Sequence, residues 1–130
     1  MTDGVKRKVL VVDDEPSIAK ILRKQLEVAG FDVAVAVDGE DGLAKVRESK
    51  PELLLLDVML PNINGYEVCK TLKADPELKS LPIIILTAKA QRQDQDLAQP
   101  QGADAFLTKP FQLSELLAKV KVLLGQAASG

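Results

Sequence analysis

Five polar side chains follow apolar segments of the sequence directly, and their types suit one kind of chemistry. Asp13 and Asp14 come after KVLVV, and Asp57 comes after LLLL. Thr87 follows IIIL, and Lys109 follows ADAFLT. If these segments are neighbouring parallel strands, their carboxyl ends meet at one edge of a sheet. Three carboxylates, a hydroxyl and an ammonium would then converge there.

Three carboxylates in one place repel each other, and one would protonate unless a cation lay between them. Lys109 brings a single positive charge, which cannot neutralise all three. An all-oxygen site suits a hard divalent ion, for which Mg²⁺ is the usual choice, and backbone carbonyls of the turn Val58–Leu60 would complete its shell. A carboxylate beside such an ion, an ammonium and a hydroxyl is equipped to attack phosphorus and accept a phosphoryl group.

Each of these features also has a structural explanation when it is taken alone. An Asp-Asp pair after a strand is often a turn or a helix cap, and Thr87 would serve as a cap in the same way. Lys109 with Pro110 is a common turn before a helix. The chemical interpretation depends on the joint arrangement, because independent caps would not all fall at the ends of successive apolar strands.

Composition narrows the class of protein. The chain has 130 residues, 46% of them apolar and 28% charged, with a net charge of -2. This predicts one globular domain without the basic face that nucleic-acid binding needs, so we expect no direct binding of nucleic acid by this chain. The apolar runs are too short to cross a bilayer, so no membrane association is expected. The absence of histidine excludes Ser-His-Asp and Cys-His catalysis and histidine-ligated zinc.

The single cysteine, Cys69, has no partner for an internal disulfide, which favours a cytoplasmic location. It lies on the apolar stripe of a predicted helix, so we expect a small core residue and not a reactive thiol.

Strand and helix patterns alternate along the chain. Continuous apolar runs predict three strands covered on both faces, and two less apolar segments, built on small or mixed residues, predict edge strands. The central strands are Lys8–Val12, Leu53–Leu56 and Ile83–Leu86, and the edge strands are Asp32–Val37 and Ala103–Thr108. Periodic apolar residues predict the helices Pro16–Ala29, Glu40–Ser49, Tyr66–Ala74 and Leu113–Leu124. A fifth helix is predicted at Gln91–Gln99, where the pattern is weak because Leu97 and Ala98 are almost the only apolar residues.

This alternation predicts an α/β fold: a single doubly wound domain with a parallel five-stranded sheet of order 2-1-3-4-5, flavodoxin-like in topology. The predicted domain spans residues 8–124, with flexible termini at 1–7 and 125–130. The second strand contributes only Asp38 and Gly39 at its carboxyl end, away from the switch point between the first and third strands. The helix at Gln91–Gln99 has little apolar surface, which predicts the least stable element.

Four segments together make the sequence resemble a response-regulator receiver domain of two-component signalling. They are VVDDE at Val11–Glu15, LLLLDVMLPNINGYE at Leu53–Glu67, PIIILTAKA at Pro82–Ala90 and GADAFLTKPF at Gly102–Phe111. The similarity spans Lys8 to Leu124, nearly the whole chain.

The resemblance implies a role for each site residue. Asp57 is then the phosphoacceptor, and Asp13 and Asp14 hold Mg²⁺ with Asp57 and the Met59 carbonyl. Lys109 pairs with the phosphoryl group. The remaining implied roles are a cis peptide at Lys109–Pro110 and a switch pair made of Thr87 and Phe106.

The resemblance also implies the partners. They are a sensor histidine kinase or histidine phosphotransfer protein upstream and an effector protein or domain downstream, contacted through the surface Gln91–Phe111 and the last helix. The domain is then no enzyme in its own right, although Mg²⁺-dependent self-phosphorylation from small phosphodonors and autodephosphorylation are expected.

Three other interpretations compete with this one. The chain is alternatively the receiver half of a DNA-binding regulator whose effector domain is absent here. A pseudo-receiver scaffold is disfavoured by the intact set of site residues. A metal-dependent hydrolase is disfavoured because the sequence indicates no substrate pocket beyond a shallow site at the strand ends.

Overall fold

Parallel strands and helices alternate along the chain in the computed structural model, which describes residues 7–58, 60, 63–88, 103–109 and 111–125. In chain order the elements are β1 (Lys8–Val12), α1 (Pro16–Val28), β2 (Asp32–Ala36), α2 (Gly39–Ser49), β3 (Leu53–Asp57), α3 (Gly65–Ala74), β4 (Ile83–Ala88), β5 (Ala105–Lys109) and α4 (Leu113–Leu123). The predicted alternation of strands and helices is confirmed over these residues.

The five strands form one parallel sheet in the order β2-β1-β3-β4-β5. The predicted order 2-1-3-4-5 is therefore confirmed, with the two less apolar strands at the edges. The chain runs from β1 outward to β2 and then crosses back to place β3 on the other side of β1. This reversal is the topological switch point, and the crevice outside the strand ends there is where open α/β sheets bind ligands.

Alternate residues of the central strands point to opposite faces of the sheet, and both faces are covered. Val9, Val11, Leu53 and Leu55 belong to a core that also contains residues of α1 and α4. The intervening residues, such as Leu54, pack in a second core with residues of α2 and α3. Burial on both faces explains why these strands contain continuous apolar runs, since Val9–Val12, Leu53–Leu56 and Ile83–Leu86 are all buried.

Short-range signals fix several helix ends. Asp38 and Asn64 each accept a hydrogen bond from the backbone N–H three residues ahead, which caps α2 and α3. Pro16 occupies the first turn of α1, and Gly30 follows that helix with a φ of 103°, a conformation that glycine adopts without a steric penalty.

Three strands extend further than the apolar runs predict. β3 includes Asp57, β4 reaches Ala88 and so includes Thr87, and β5 ends on Lys109. The hydrogen-bonded ladder continues past the last apolar residue, because Asp57 pairs with Leu86 and the residues that follow Leu86 pair with the end of β5. The predicted helix at Gln91–Gln99 lies outside the described residues, as do residues 1–6 and 126–130.

None of the helices in the described part of the chain combines the length and the apolar character that crossing a bilayer requires.

Candidate functional site

The predicted acidic residues do come together at the switch point. Carboxylate oxygens of Asp13, Asp14 and Asp57, one from each residue, all lie within 4.8 Å of one another. Asp13 follows β1 directly and Asp57 ends β3, so the pairing of these two strands places both carboxylates side by side. Asp13 and Asp57 are only 1% and 5% exposed, whereas Asp14 is exposed.

Lys109 reaches this cluster from the edge of the sheet. Its Nζ donates a hydrogen bond to Asp57 Oδ2 at 3.3 Å and lies 3.5 Å from Asp13 Oδ2. Its strand, β5, is separated from β3 by β4, so the side chain spans the end of β4 to make these contacts. One ammonium thus faces three carboxylates, and the local charge is not balanced by the side chains described here.

Two buried oxygens at the site have no hydrogen-bond partner among the described residues: Asp13 Oδ2 and Thr87 Oγ1. The other oxygen of Asp13 accepts the backbone N–H of Glu15 at 2.9 Å. The contact of Asp13 Oδ2 with Lys109 is an ion pair too long to count as a hydrogen bond. Leaving such atoms buried costs free energy, so each is a candidate for contact with a bound group.

Mg²⁺ fits this donor set. The convergent atoms are carboxylate oxygens, the hard ligands that this ion prefers, and Asp13 Oδ2 has a lone pair that no described donor takes. The exposed Asp14 leaves one side open to water, which Mg²⁺ usually retains in its shell.

The loop after β3 turns sharply behind Asp57. Val58 donates its N–H to Leu86 O of β4, and Val58 O accepts the N–H groups of both Leu60 and Gly65. A side chain at Gly65 would not fit, because a Cβ there would lie 2.5 Å from Asp57 O. The start of α3 is therefore packed directly against the backbone of the central aspartate. Met59 and Pro110 lie outside the described residues, so the predicted carbonyl ligand and cis peptide stay predictions.

Thr87 and Phe106 lie on the same face of the sheet. Thr87 is fully buried on β4, and Phe106 is half-buried on β5, in register with Ile85. Ile85 precedes Thr87 by two residues, which is one repeat of the strand, so both point to the side where Phe106 packs against the core of α2 and α3. This placement is compatible with the predicted switch pair.

Cys69 is a core residue, as the sequence analysis expected. It is fully buried on α3, and burial raises the pKa of its thiol to about 11, with a smaller opposing effect from Lys73 and a further raising effect from Asp104. At neutral pH it is a protonated thiol and a poor nucleophile.

The fold and site together define a class: a doubly wound α/β domain with an acidic cluster and a lysine at its switch point. The model of the response regulator receiver domain matches residues 9–121. The chain belongs to this family, and it is therefore the receiver domain of a two-component response regulator.

Curated relatives and solved structures agree with the family. The chain is 43% identical over 117 residues to the DNA-binding dual master transcriptional regulator RpaA of Synechocystis, covering 90% of this chain and 48% of that protein. It is 47% identical over 120 residues to the alkaline phosphatase synthesis transcriptional regulatory protein PhoP of Bacillus subtilis, covering 92% and 49%. The chain thus spans about half the length of the curated relatives it matches.

Two solved structures share the fold over nearly their whole length. One is a putative response regulator from Chloroflexus aurantiacus, with a TM-score of 0.89, 36% identity and coverage of 93% of this chain and 99% of that one. The other is the receiver domain of the sensor histidine kinase PA1611 from Pseudomonas aeruginosa, described with a magnesium ion coordinated in its active-site cleft. Its TM-score is 0.85 at 26% identity, covering 93% of this chain and 99% of that one.

Sequence reasoning missed the glycines that pack against the loop between β3 and α3. Gly65 contacts the backbone of Asp57, and Gly39 contacts the same loop from α2, although the sequence analysis placed Gly39 away from the site. The available signal was a glycine in the first turn of a helix, where no positive φ requires it. Glycine is a poor helix former, so its presence there indicates close approach of another segment.

Proposed function

We propose that this domain accepts a phosphoryl group on Asp57 from a phosphohistidine of a sensor kinase or phosphotransfer protein, with Mg²⁺ as its cofactor. The observation that carries the proposal is the convergence at one strand edge. A buried Asp57 lies beside two further carboxylates and within reach of a single ammonium. The magnesium ion in the cleft of the PA1611 receiver domain supports the same metal here.

The reaction is a transfer of phosphorus between two nucleophiles. A carboxylate oxygen of Asp57 forms the new P–O bond while the P–N bond of the phosphohistidine breaks. The electron pair of that bond stays on the imidazole nitrogen, and the product is an acyl phosphate. A bound Mg²⁺ supplies positive charge to the phosphoryl oxygens, and Asp13 and Asp14 would hold it, with the Met59 carbonyl.

Lys109 has two tasks in succession. Before the reaction its ammonium holds Asp57 and Asp13 in place through contacts of 3.3 and 3.5 Å. After the reaction the transferred group carries negative charge at the position that the ammonium already faces, so Lys109 pairs with a phosphoryl oxygen. The same electrostatics serve small phosphodonors, which would phosphorylate the domain without a kinase.

Thr87 would report the new charge to the rest of the domain. Its hydroxyl is buried without a partner among the described residues, so a phosphoryl oxygen would give it its first hydrogen bond there. Movement of Thr87 would free space for Phe106 on the same face of the sheet. We propose that this pair biases the surface formed by Gln91–Phe111 and α4 between two states, and that an effector binds one of them.

The direct test is phosphorylation of the protein by acetyl phosphate in the presence of Mg²⁺, followed by intact mass. One phosphoryl group per chain is expected on the wild type, and none on Asp57→Asn, which keeps the shape but removes the charged nucleophile. The matched control Asp32→Asn removes an exposed carboxylate at the opposite end of the sheet and should react like the wild type. Label persisting on Asp57→Asn would place the acceptor elsewhere.

Control of transcription is a specific form of the output. Both relatives named above are transcriptional regulators, and the chain is similar to about half of each. In that form the surface that responds to phosphorylation would act on a DNA-binding domain of the same longer protein instead of a separate effector.

A further inference from the structure

The start of α2 is packed against the loop that follows the acceptor aspartate. Gly39, the first residue of α2, is buried, and a Cβ built on it would lie 2.6 Å from the carbonyl oxygen of Ile63. It would also lie 3.0 Å from Ile63 Cβ and from Val68 Cγ2. The tightest neighbour is therefore backbone of the acceptor loop, which cannot rotate away as a side chain can.

The contact leads to Asp57 in two steps. Ile63 precedes Asn64, whose side chain caps α3 by accepting the N–H of Glu67 at 3.0 Å. The next residue, Gly65, donates its N–H to Val58 O and approaches the backbone of Asp57 closely. The described residues of this loop, 58, 60 and 63–65, are thus held between α2 on one side and the end of β3 on the other.

We propose that Gly39 is a positioning residue for the acceptor loop. Because it has no side chain, α2 can approach Ile63 closely and hold the loop where Asp57 lies beside the other metal-binding carboxylates. The proposal rests on the proposed function, because it assigns a role toward the same Mg²⁺ site. A methyl group at Gly39 would push Ile63 outward, and the loop would move relative to Asp13, which belongs to a different strand end. Because Gly65 bonds to Val58 O and approaches the backbone of Asp57 closely, the Asp57 carboxylate would then no longer converge with Asp13.

The chain offers a matched control on the same helix. Gly42 lies one turn further along α2 and is also buried, and a Cβ there would lie 2.9 Å from Val12 Cγ2, a side-chain atom of β1. Gly42→Ala therefore adds the same methyl group to the same helix without a contact to the acceptor loop. Because Val12 directly precedes Asp13, this control also tests whether a displacement near Asp13 is enough to weaken Mg²⁺ binding.

The experiment compares Gly39→Ala and Gly42→Ala with the wild type by Mg²⁺ titration of backbone amide NMR signals and by chemical unfolding. Both variants should lose stability. Only Gly39→Ala should bind Mg²⁺ more weakly, by roughly tenfold, as for changes to groups that orient metal ligands. Its metal-free spectrum should show shifts at Leu60, Ile63 and Gly65. Equal Mg²⁺ affinities for a folded Gly39→Ala and the wild type would overturn the inference, as would an equal loss in Gly42→Ala.

The double variant Gly39→Ala/Val68→Ala separates positioning from crowding of the core. If the methyl group acts through Val68, shortening Val68 would restore Mg²⁺ affinity, and the proposed role would be wrong. If it acts through the Ile63 carbonyl, the affinity stays low.

A second variant keeps the test decisive if Gly39→Ala does not fold. Ile63→Ala removes a half-buried side chain with which the loop packs against the core, and it should lower Mg²⁺ affinity several-fold. Leu43→Ala shortens a half-buried residue of α2 that packs against the same core, and it should leave Mg²⁺ affinity unchanged. Unchanged affinity in Ile63→Ala would overturn the inference. Absence of Mg²⁺ binding by the wild type would instead overturn the proposed function.

Discussion

The charged side chains at the two ends of the sheet differ in how fully their hydrogen bonds are satisfied. At the amino end, Lys73 of α3 donates hydrogen bonds to Lys79 O at 3.0 Å, to Leu81 O at 2.8 Å and to Asp104 Oδ2 at 3.0 Å. The same oxygen of Asp104 accepts the N–H of Ile83 at 2.8 Å. One ammonium thus joins α3, the entry to β4 and the entry to β5, and each proton it can donate has an acceptor.

At the carboxyl end, three carboxylates lie together, and the ammonium of Lys109 contacts two of them, Asp13 and Asp57. Two buried oxygens there have no hydrogen-bond partner among the described residues. The two ends therefore have different roles, one in stability and the other in ligand binding. The amino end is polar and satisfied, so it contributes to stability. The carboxyl end has buried polar atoms without partners among the described residues, so it lowers the stability of the fold until a ligand binds there, as is typical of functional sites.

Breaking the amino end should have the largest effect on stability. Lys73→Met keeps most of the apolar stem but removes the side-chain donor of two carbonyls and the ammonium beside Asp104, which keeps the N–H of Ile83. The expected cost is about 2 kcal/mol in the free energy of unfolding. Urea unfolding measures this cost. Lys70→Met, on the exposed side of the same helix, should change the free energy of unfolding little. Mg²⁺ affinity should be unchanged in both variants, and a marked loss in Lys73→Met would show that the two ends are coupled.

Binding of Mg²⁺ at the carboxyl end should have an intermediate effect on the free energy of unfolding. Mg²⁺ at ten times its Kd should stabilise the wild type by about 1.4 kcal/mol, because the ion binds only where folding assembles the carboxylates. Asp14→Ala should abolish this stabilisation and raise the metal-free Tm, since it removes one of three repelling charges. Thermal unfolding with and without Mg²⁺ provides the measurement. Asp32→Ala, which removes an exposed charge at the amino end, should keep the full response, and a Tm indifferent to Mg²⁺ in the wild type would contradict the account.

Replacing the isolated hydroxyl should have the smallest effect on stability. Thr87→Val replaces a buried hydroxyl that has no hydrogen-bond partner among the described residues with a methyl group of similar size. The free energy of unfolding should therefore stay the same or rise by up to about 1 kcal/mol. Thr108→Val, at the paired position of β5, is the control for a β-branched exchange in the same ladder. Denaturant unfolding distinguishes the outcomes. A loss of more than 1 kcal/mol in Thr87→Val would show that its hydroxyl is satisfied in the unphosphorylated protein.

The sequence predicted the sheet order and the convergence of the acidic residues because both follow from local patterns. Continuous apolar runs identify strands buried on two faces, and the residue after each run identifies its carboxyl end. The same logic placed the ends of β4 and β5 too early, because an apolar run reports burial, whereas Thr87 and Lys109 continue the hydrogen-bonded ladder as polar residues. Contacts between distant segments were beyond its reach. The position of Gly39 in the first turn of α2 indicates close approach of some segment but does not identify Ile63 as its partner, and the bond of Lys73 to Asp104 has no local signature. Both contacts depend on how helices pack across the sheet.

The ion pair between Lys109 and Asp57 also has a consequence for biosynthesis. It joins residues 52 positions apart, and Lys109 ends the last strand of the sheet. A nascent chain on the ribosome that has exposed β1 and β3 but not β5 would carry Asp57 and its acidic neighbours without their ammonium. Contacts between residues so far apart form late, after the entropy of closing the intervening chain has been overcome. Under the proposed function, an unfinished chain would lack the ammonium that pairs with the phosphoryl group, and the site would be complete only after the last strand is synthesised.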